Sequence, residues 1–408
     1  MKVKGFKKIM GPFRAACESL LPRPTPPHSP EDNGKTNLLI ISRFVPEFDR
    51  GSGELRFFSI IRLLSRCYNI TYLSRERHEG YRRGRGDKYV DALEELGVIV
   101  HVARFNLKSI LKGNFRFALL EVYSTADKYI EEIRARSPGT FIITDSVDVF
   151  FYREMKMAEV YADDEMRRGA LETKRKELAV YKKSDMVWTV TGLDRDILLS
   201  EKPGLNVAIV PNVHEMSAGP SDASERERGV LVFVGGFRHR PNEDAVLYFC
   251  GEVLPLVRKR LPGVRLRIVG DSPPPSITAL RSDSIEVTGR VPDTMPYLRT
   301  SYISIAPLRY GAGLKGKIGE AMSIGLPVVT TSIGVQGMDA RIGEDIMVGD
   351  TPEAFSDCIL RLSEDEALYR AVTENSFNYM RNNYSPEIVG GILSEIFLKI
   401  EERAVRQG

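Results

Sequence analysis

Tyr302-Ile303-Ser304-Ile305-Ala306-Pro307-Leu308-Arg309-Tyr310-Gly311-Ala312-Gly313-Leu314-Lys315-Gly316-Lys317-Ile318-Gly319-Glu320-Ala321-Met322 reads as strand, glycine-rich loop and helix in immediate succession. The opening residues form the apolar run of a strand covered on both faces. Gly311 and Gly313 leave the loop without Cβ atoms, so its backbone can come close to a ligand. The helix that follows stops at Gly325, with Pro327 just beyond. Unpaired N–H groups at a helix start suit an anion, and Lys315 and Lys317 add full positive charge there. Lys317 and Glu320 are three residues apart and face one side of the helix. A cation beside a carboxylate suits a diphosphate and the ribose attached to it. The bland alternative is a tight turn with solvated lysines and a Glu–Lys helix pair.

The same alternation extends in both directions. Upstream, apolar runs at 38–42, 70–73, 98–100, 141–144, 186–190 and 207–210 read as strands separated by helical patterns. Around the opening stretch, 230–234, 266–269, 285–287, 302–305 and 328–330 form a second set. Strands alternating with helices imply βαβ units and parallel sheets. The polar, aperiodic stretch 217–228 is the linker between the sets. The expected architecture is therefore α/β, with two Rossmann-like doubly wound domains facing each other across a cleft. Its divisions are a basic amphipathic segment and proline-rich spacer (1–35), a first domain (36–216), the linker (217–228), a second domain (229–385) and a C-terminal amphipathic helix (386–408).

Composition agrees with two domains and narrows the chemistry. A chain of 408 residues with 42% hydrophobic and 28% charged residues can bury two cores. A formal charge of +3 gives no whole-chain field for nucleic acid. Cys17, Cys67, Cys250 and Cys358 form no CxxC pair, and the five histidines form no HExxH. A disulfide framework, a protein metal site and a resident cofactor are not expected, and a reducing cytoplasm is. No stretch approaches the ~20 apolar residues of a membrane span. Within residues 1–21, Phe6, Ile9, Met10, Phe13, Cys17, Leu20 and Leu21 recur at helical spacing beside Lys2, Lys4, Lys7, Lys8 and Arg14. That pattern reads either as a helix lying on an anionic membrane surface or as one packed on the protein body or fraying.

Three further turns carry polar groups. Gly235-Gly236-Phe237-Arg238-His239-Arg240-Pro241-Asn242 follows the first strand of the second set, where an open α/β sheet faces its crevice. Asp49-Arg50-Gly51-Ser52-Gly53-Glu54-Leu55-Arg56 follows the first strand of the first set and would complete a phosphate pocket from across the cleft. It is not GxGxxG, which argues against a nicotinamide dinucleotide. Asp145-Ser146-Val147-Asp148 places two carboxylates at the cleft edge, either to hold sugar hydroxyls or an acceptor, or to cap a helix.

Taken together these residues resemble glycosyltransferase family four, retaining enzymes of the GT-B fold. The resemblance rests on Phe233-Val234-Gly235-Gly236 with Pro241-Asn242, on 266–270, on Gly289-Arg290-Val291-Pro292-Asp293 and on 313–322 followed by Gly325-Leu326-Pro327. Pro211-Asn212 is similar to a turn before the family's linker, and 45–56 and 145–154 match more loosely. The resemblance implies that Glu320 holds the donor ribose and that Lys315 and Lys317 neutralise the diphosphate. It implies that Val291 meets the base through its backbone and that Ser52 and Gly53 approach the phosphate. Gly235, Gly236, Arg238, His239, Gly313 and Leu314 complete the expected donor contacts, and Lys317, Glu320 and Asp148 the expected catalytic set. The family often has a second glutamate eight positions before Glu320, where this chain has Ala312, and a first-domain histidine that is absent here. The expected activity is metal-independent transfer from a nucleoside-diphosphate sugar to a saccharide or lipid-linked saccharide, at the inner face of the membrane if residues 1–21 bind lipid. A non-catalytic GT-B-like scaffold and a sugar-nucleotide epimerase are the rival readings.

Overall fold

A computed structural model describes residues 34–78, 81, 87–311 and 313–407. The amphipathic 1–21 segment, its proline spacer, Cys17 and Ala312 lie outside the described residues. The first domain contains strands β1 (Thr36–Ser42), β2 (Tyr68–Ser74), β3 (Ile99–Val102), β4 (Phe117–Glu121), β5 (Phe141–Asp145), β6 (Met186–Thr189) and β7 (Val207–Ile209). Its helices are α1 (Ser52–Ser65), α2 (Lys88–Glu95), α3 (Leu107–Ile110), α4 (Tyr123–Arg136), α5 (Phe150–Tyr161), α6 (Asp164–Tyr181) and α7 (Gly192–Glu201). The strands form one parallel seven-stranded sheet in the order β3-β2-β1-β4-β5-β6-β7. Leu38 pairs with Ile70 on one side and Phe117 on the other.

The second domain contains β8 (Glu227–Val234), β9 (Arg265–Val269), β10 (Ile285–Gly289), β11 (Ser301–Ala306), β12 (Val328–Thr330) and β13 (Met347–Val348). They form a parallel six-stranded sheet ordered β10-β9-β8-β11-β12-β13. Helix α8 (Arg240–Tyr248) runs through a π-helical turn at Phe249–Val253 into α9 (Leu254–Arg260). Then come α10 (Pro275–Thr278), α11 (Met295–Thr300), α12 (Gly316–Met322), α13 (Ser332–Val335), α14 (Pro352–Glu364), α15 (Glu366–Tyr384) and α16 (Pro386–Gln407). Both sheets are doubly wound, and each reverses direction once, between β1 and β4 and between β8 and β11. Ligands of such sheets bind outside the carboxyl ends of the strands at that reversal.

Two details correct the sequence reading. The strand at 141–144 is the fifth, because β4 precedes it. Phe117-Ala118-Leu119-Leu120 is fully buried but holds no β-branched residue, so its periodicity does not distinguish strand from buried helix. The connection between domains runs from residue 210 to 226, earlier than the expected 217–228. Glu227 belongs to β8, where Arg265 and Arg267 of β9 hold its carboxylate at 2.6 and 2.5 Å, so a charged residue begins a strand. The C-terminal amphipathic helix expected at 386–408 is α16, which follows the second domain in sequence and packs on the first. Val389, Leu393, Phe397 and Ile400 join the core of the first, and the Phe397 ring meets Phe117 at 4.8 Å, Tyr68 at 4.9 Å and Trp188 at 6.1 Å.

Candidate functional site

The loops after β8 and β11 meet as the doubly wound topology requires, and two side chains tie them together. Asn242, in the first turn of α8, donates through Nδ2 to the Gly236 carbonyl at 2.7 Å. Its Oδ1 accepts from the Lys317 ammonium at 2.5 Å, and that ammonium also lies 4.3 Å from the centre of the Phe233 ring. A Cβ on Gly235 would stand 2.7 Å from Lys317 Nζ and 2.8 Å from Asn242 Nδ2, so only glycine leaves room for this arrangement. Lys315, at the N-cap of α12, turns back to donate to the Gly313 carbonyl at 2.6 Å.

Enclosure has an electrostatic consequence. Burial pushes the Lys317 ammonium down to about 7, assisted by the like charge of Lys315. Burial lowers Lys315 to about 8, against the pull of Asp148 and Asp194. The site thus holds two cations whose charge is costly until an anion arrives. His239 is exposed on the turn, yet its imidazole sits below its usual value, first through desolvation and then through Lys317, Arg153 and Lys315. Arg238 is exposed on the same turn.

Glu320 lies one turn after Lys317. Burial raises its carboxyl, while the Thr294 hydroxyl donates to Oε1 at 2.5 Å and offsets part of that rise. Thr294 belongs to the loop after β10, and Val291 and Leu314 are half-buried in the apolar cluster under it. The carboxylate and the base-side loop expected from sequence are therefore neighbours. Behind α12, buried His214 from the interdomain connection packs on Gly319, where a Cβ would lie 2.5 Å from Nε2. Burial drops this imidazole to about 4, so it is neutral.

The first domain presses on the same place. A Cβ on Gly316 would overlap the Ser52 side chain, with Oγ at 2.9 Å, so α1 starts directly against α12. Gly53 packs instead beside Val147 of the β5 loop. Gly313, at φ +69°, faces Asp148, whose Oδ2 accepts from Arg153 at 2.7 Å. The Arg153 guanidinium also covers the Phe150 ring at 4.6 Å. Asp194, buried and hydrogen-bonded to the Thr191 hydroxyl at 2.6 Å, is raised to about 6 by burial and feels the Lys315 charge.

Two expectations fail here. Asp145 is neither a cleft carboxylate nor a helix cap. It is fully buried in a two-pronged ion pair with Arg56, at 2.7 and 3.2 Å, while Arg56 also donates to the Val210 carbonyl at 2.7 Å. Arg56 is accordingly unavailable to a phosphate. Nor does Asp148 cap α5: the Phe150 and Phe151 N–H groups are held by Glu177 of α6 at 3.3 and 3.1 Å. Sequence reasoning assigned no role to Arg153, His214 or Thr294. Asn242 stood inside the quoted turn, and its amide is what a turn-linking residue needs.

A family model described as Glycosyl transferases group 1 matches residues 228–365. That match covers most of the second domain. The fold is GT-B. Sucrose-phosphate synthase from Thermosynechococcus elongatus superposes with a TM-score of 0.66 at 13% identity, over 90% of this chain and 100% of that one. HepE from Anabaena, solved with UDP and glucose, gives 0.64 at 12% identity, over 89% of this chain and all of that one. An uncharacterized 44.6 kDa protein of the Klebsiella pneumoniae cps region is 26% identical over 177 residues. That match covers 40% of this chain and 45% of that protein's length, so it spans about half of the relative. The group 1 match encloses Gly235, Asn242, Lys315, Lys317 and Glu320.

Proposed function

We propose that the chain moves a glycosyl group, with retained anomeric configuration and no metal, from a nucleoside-diphosphate sugar to a saccharide or lipid-linked saccharide hydroxyl. The observation that carries this reading is the pair of enclosed ammonium groups, Lys315 and Lys317, one helical turn from the Glu320 carboxylate inside a group 1 domain. The lysines would meet the diphosphate and stabilise the charge that grows on it as the sugar departs. Glu320 would accept hydrogen bonds from the ribose, and the backbone at Val291 would face the base. Gly235, Gly236, Arg238 and His239 border the phosphate side. Ser52 and Gly53 approach from the first domain, with Asp148 placed toward the transferred sugar or the acceptor. HepE was solved with UDP and glucose, which makes a uridine donor the first to test. The cps-region relative supports polysaccharide biosynthesis as the setting. The basic, amphipathic pattern of residues 1–21 supports work at an anionic membrane face from the cytoplasmic side.

The test has two stages. A melting-temperature screen of nucleoside diphosphates and their sugars should show a shift with one base, because a ligand bound only to the folded state stabilises it. Donor turnover, by transfer or hydrolysis, should then fall by about 100-fold or more in Lys317→Ala and in Glu320→Ala. Turnover unchanged in both variants would remove the assignment. Binding without turnover in the native chain would favour the scaffold.

A further inference from the structure

The carboxyl edge of the first sheet holds a second basic site, away from the meeting of the two domains. A cavity of about 490 Å³ opens at the ends of β2 and β3, between the loop after β3, α3 and α4. Arg75, Lys108 and Lys128 line it with one carboxylate, Glu132, and two aromatic rings, Phe105 and Tyr129. Glu132 is paired with Arg136 at 2.9 Å, and nearby Glu76 is paired with Arg43 at 3.1 Å while also feeling Arg75 and Lys128, so the two carboxylates offset the three cations only in part.

The cavity is shaped as well as charged. Arg75 is fixed by Nη1 donating to Thr125 Oγ1 at 3.3 Å and to the Ser124 carbonyl at 3.4 Å, while its Nε is buried without a hydrogen-bond partner. A buried donor left unpaired is costly. The Phe105 and Tyr129 rings lie 6.1 Å apart at 45°, an apolar wall beside the cations. Ala103, on the rim, holds a φ of +60°, a conformation an alanine adopts at a cost and one that recurs at ligand sites. Cations beside aromatic rings, with the Lys128 ammonium 5.4 Å from the centre of the Tyr129 ring, suit a ligand ring that is apolar on its C–H faces and negative at its edge.

We propose that this cavity binds an anionic sugar unit, bearing a phosphate or a carboxylate, of a saccharide lying along the first domain. The strands of this domain all end on the face that borders the cleft, so a chain seated here can run to the group 1 site. As an acceptor subsite it rests on the transferase reading, whereas as a binding site it stands alone.

The experiment is a calorimetric titration of the full chain with glucose 6-phosphate, glucuronate, glucose and inorganic phosphate, repeated on the Lys108→Ala/Lys128→Ala double variant. Both lysines are exposed, so the variant should fold. At least one anionic sugar should bind about tenfold or more tightly than glucose, and the double variant should weaken it about tenfold or more. The stronger of the two identifies phosphate or carboxylate as the group read. Equal affinity in native chain and variant, no binding of either sugar, or phosphate alone binding as well as the anionic sugars would each overturn the proposal. The melting-temperature screen of nucleoside diphosphates and their sugars is run in parallel. No shift with any of them beside intact anionic-sugar binding would sink the transferase reading and leave this site standing.

Discussion

Lys315 and Lys317 share a confined space in which each raises the cost of the other's charge, and an incoming diphosphate reverses that cost. Both ammonium groups sit below the usual lysine value, at about 8 and about 7. At pH 8 the empty site therefore lacks most of one proton on Lys317 and about half of one on Lys315. A bound anion favours the charged forms and raises both values, so binding must draw protons from solution. UDP-glucose titrated at pH 8 in buffers of different ionisation enthalpy should show net uptake, and affinity should fall as pH rises from 7 to 9. Lys317→Met should abolish most of the uptake, and zero uptake in the native chain would contradict the enclosure. These lysines and Glu320 were legible in sequence because charge, glycine and helix phase coincide within eight residues. Arg56 and Asp145 were misplaced because each sits in a polar-looking turn, and only the fold reveals that 89 positions of separation close into a buried pair. Arg153 and His214 carry no local signal, since their importance comes from what packs opposite.

At the scale of elements, α16 is the least expected participant. Its apolar stripe was readable at helical spacing, but a stripe does not name the surface that covers it. The structure lays it on the first sheet, with Phe397 wedged among Tyr68, Phe117 and Trp188. Phe397→Ala should cost about 3–5 kcal/mol, the usual range for emptying an aromatic site in a core. Chemical denaturation should register that loss in a transition assigned to the first domain. A change below about 1 kcal/mol would mean that α16 is merely draped there. The strands were legible wherever Val and Ile dominate, as in β8, and not in β4, whose Phe, Ala and Leu fit either secondary structure. Two-residue β13 was beyond any periodicity.

For the molecule as a whole, the described residues bring the domains together at Ser52 on Gly316, Asp148 facing Gly313, Thr191 against Gly337, Tyr161 and Tyr310 hydroxyls at 3.4 Å, and Asp49 near Arg290 at 3.9 Å. The contact at Gly316 has no slack, because even a methyl there would overlap Ser52. Gly316→Val should wedge the domains apart. Small-angle scattering should record a larger radius of gyration, and the donor dissociation constant should rise about tenfold or more while circular dichroism stays native. Unchanged dimensions together with unchanged affinity would show that the cleft does not depend on this contact.

Because α16 returns to the sheet of the first domain, the second domain is, in chain order, an insertion inside the first. During synthesis the second sheet can therefore be complete while one face of the first still waits for Val389 to Ile400 to leave the ribosome. The domain started first is the domain finished last, and its uncovered Phe117 and Trp188 are the surface that a nascent chain must keep from sticking to its neighbours.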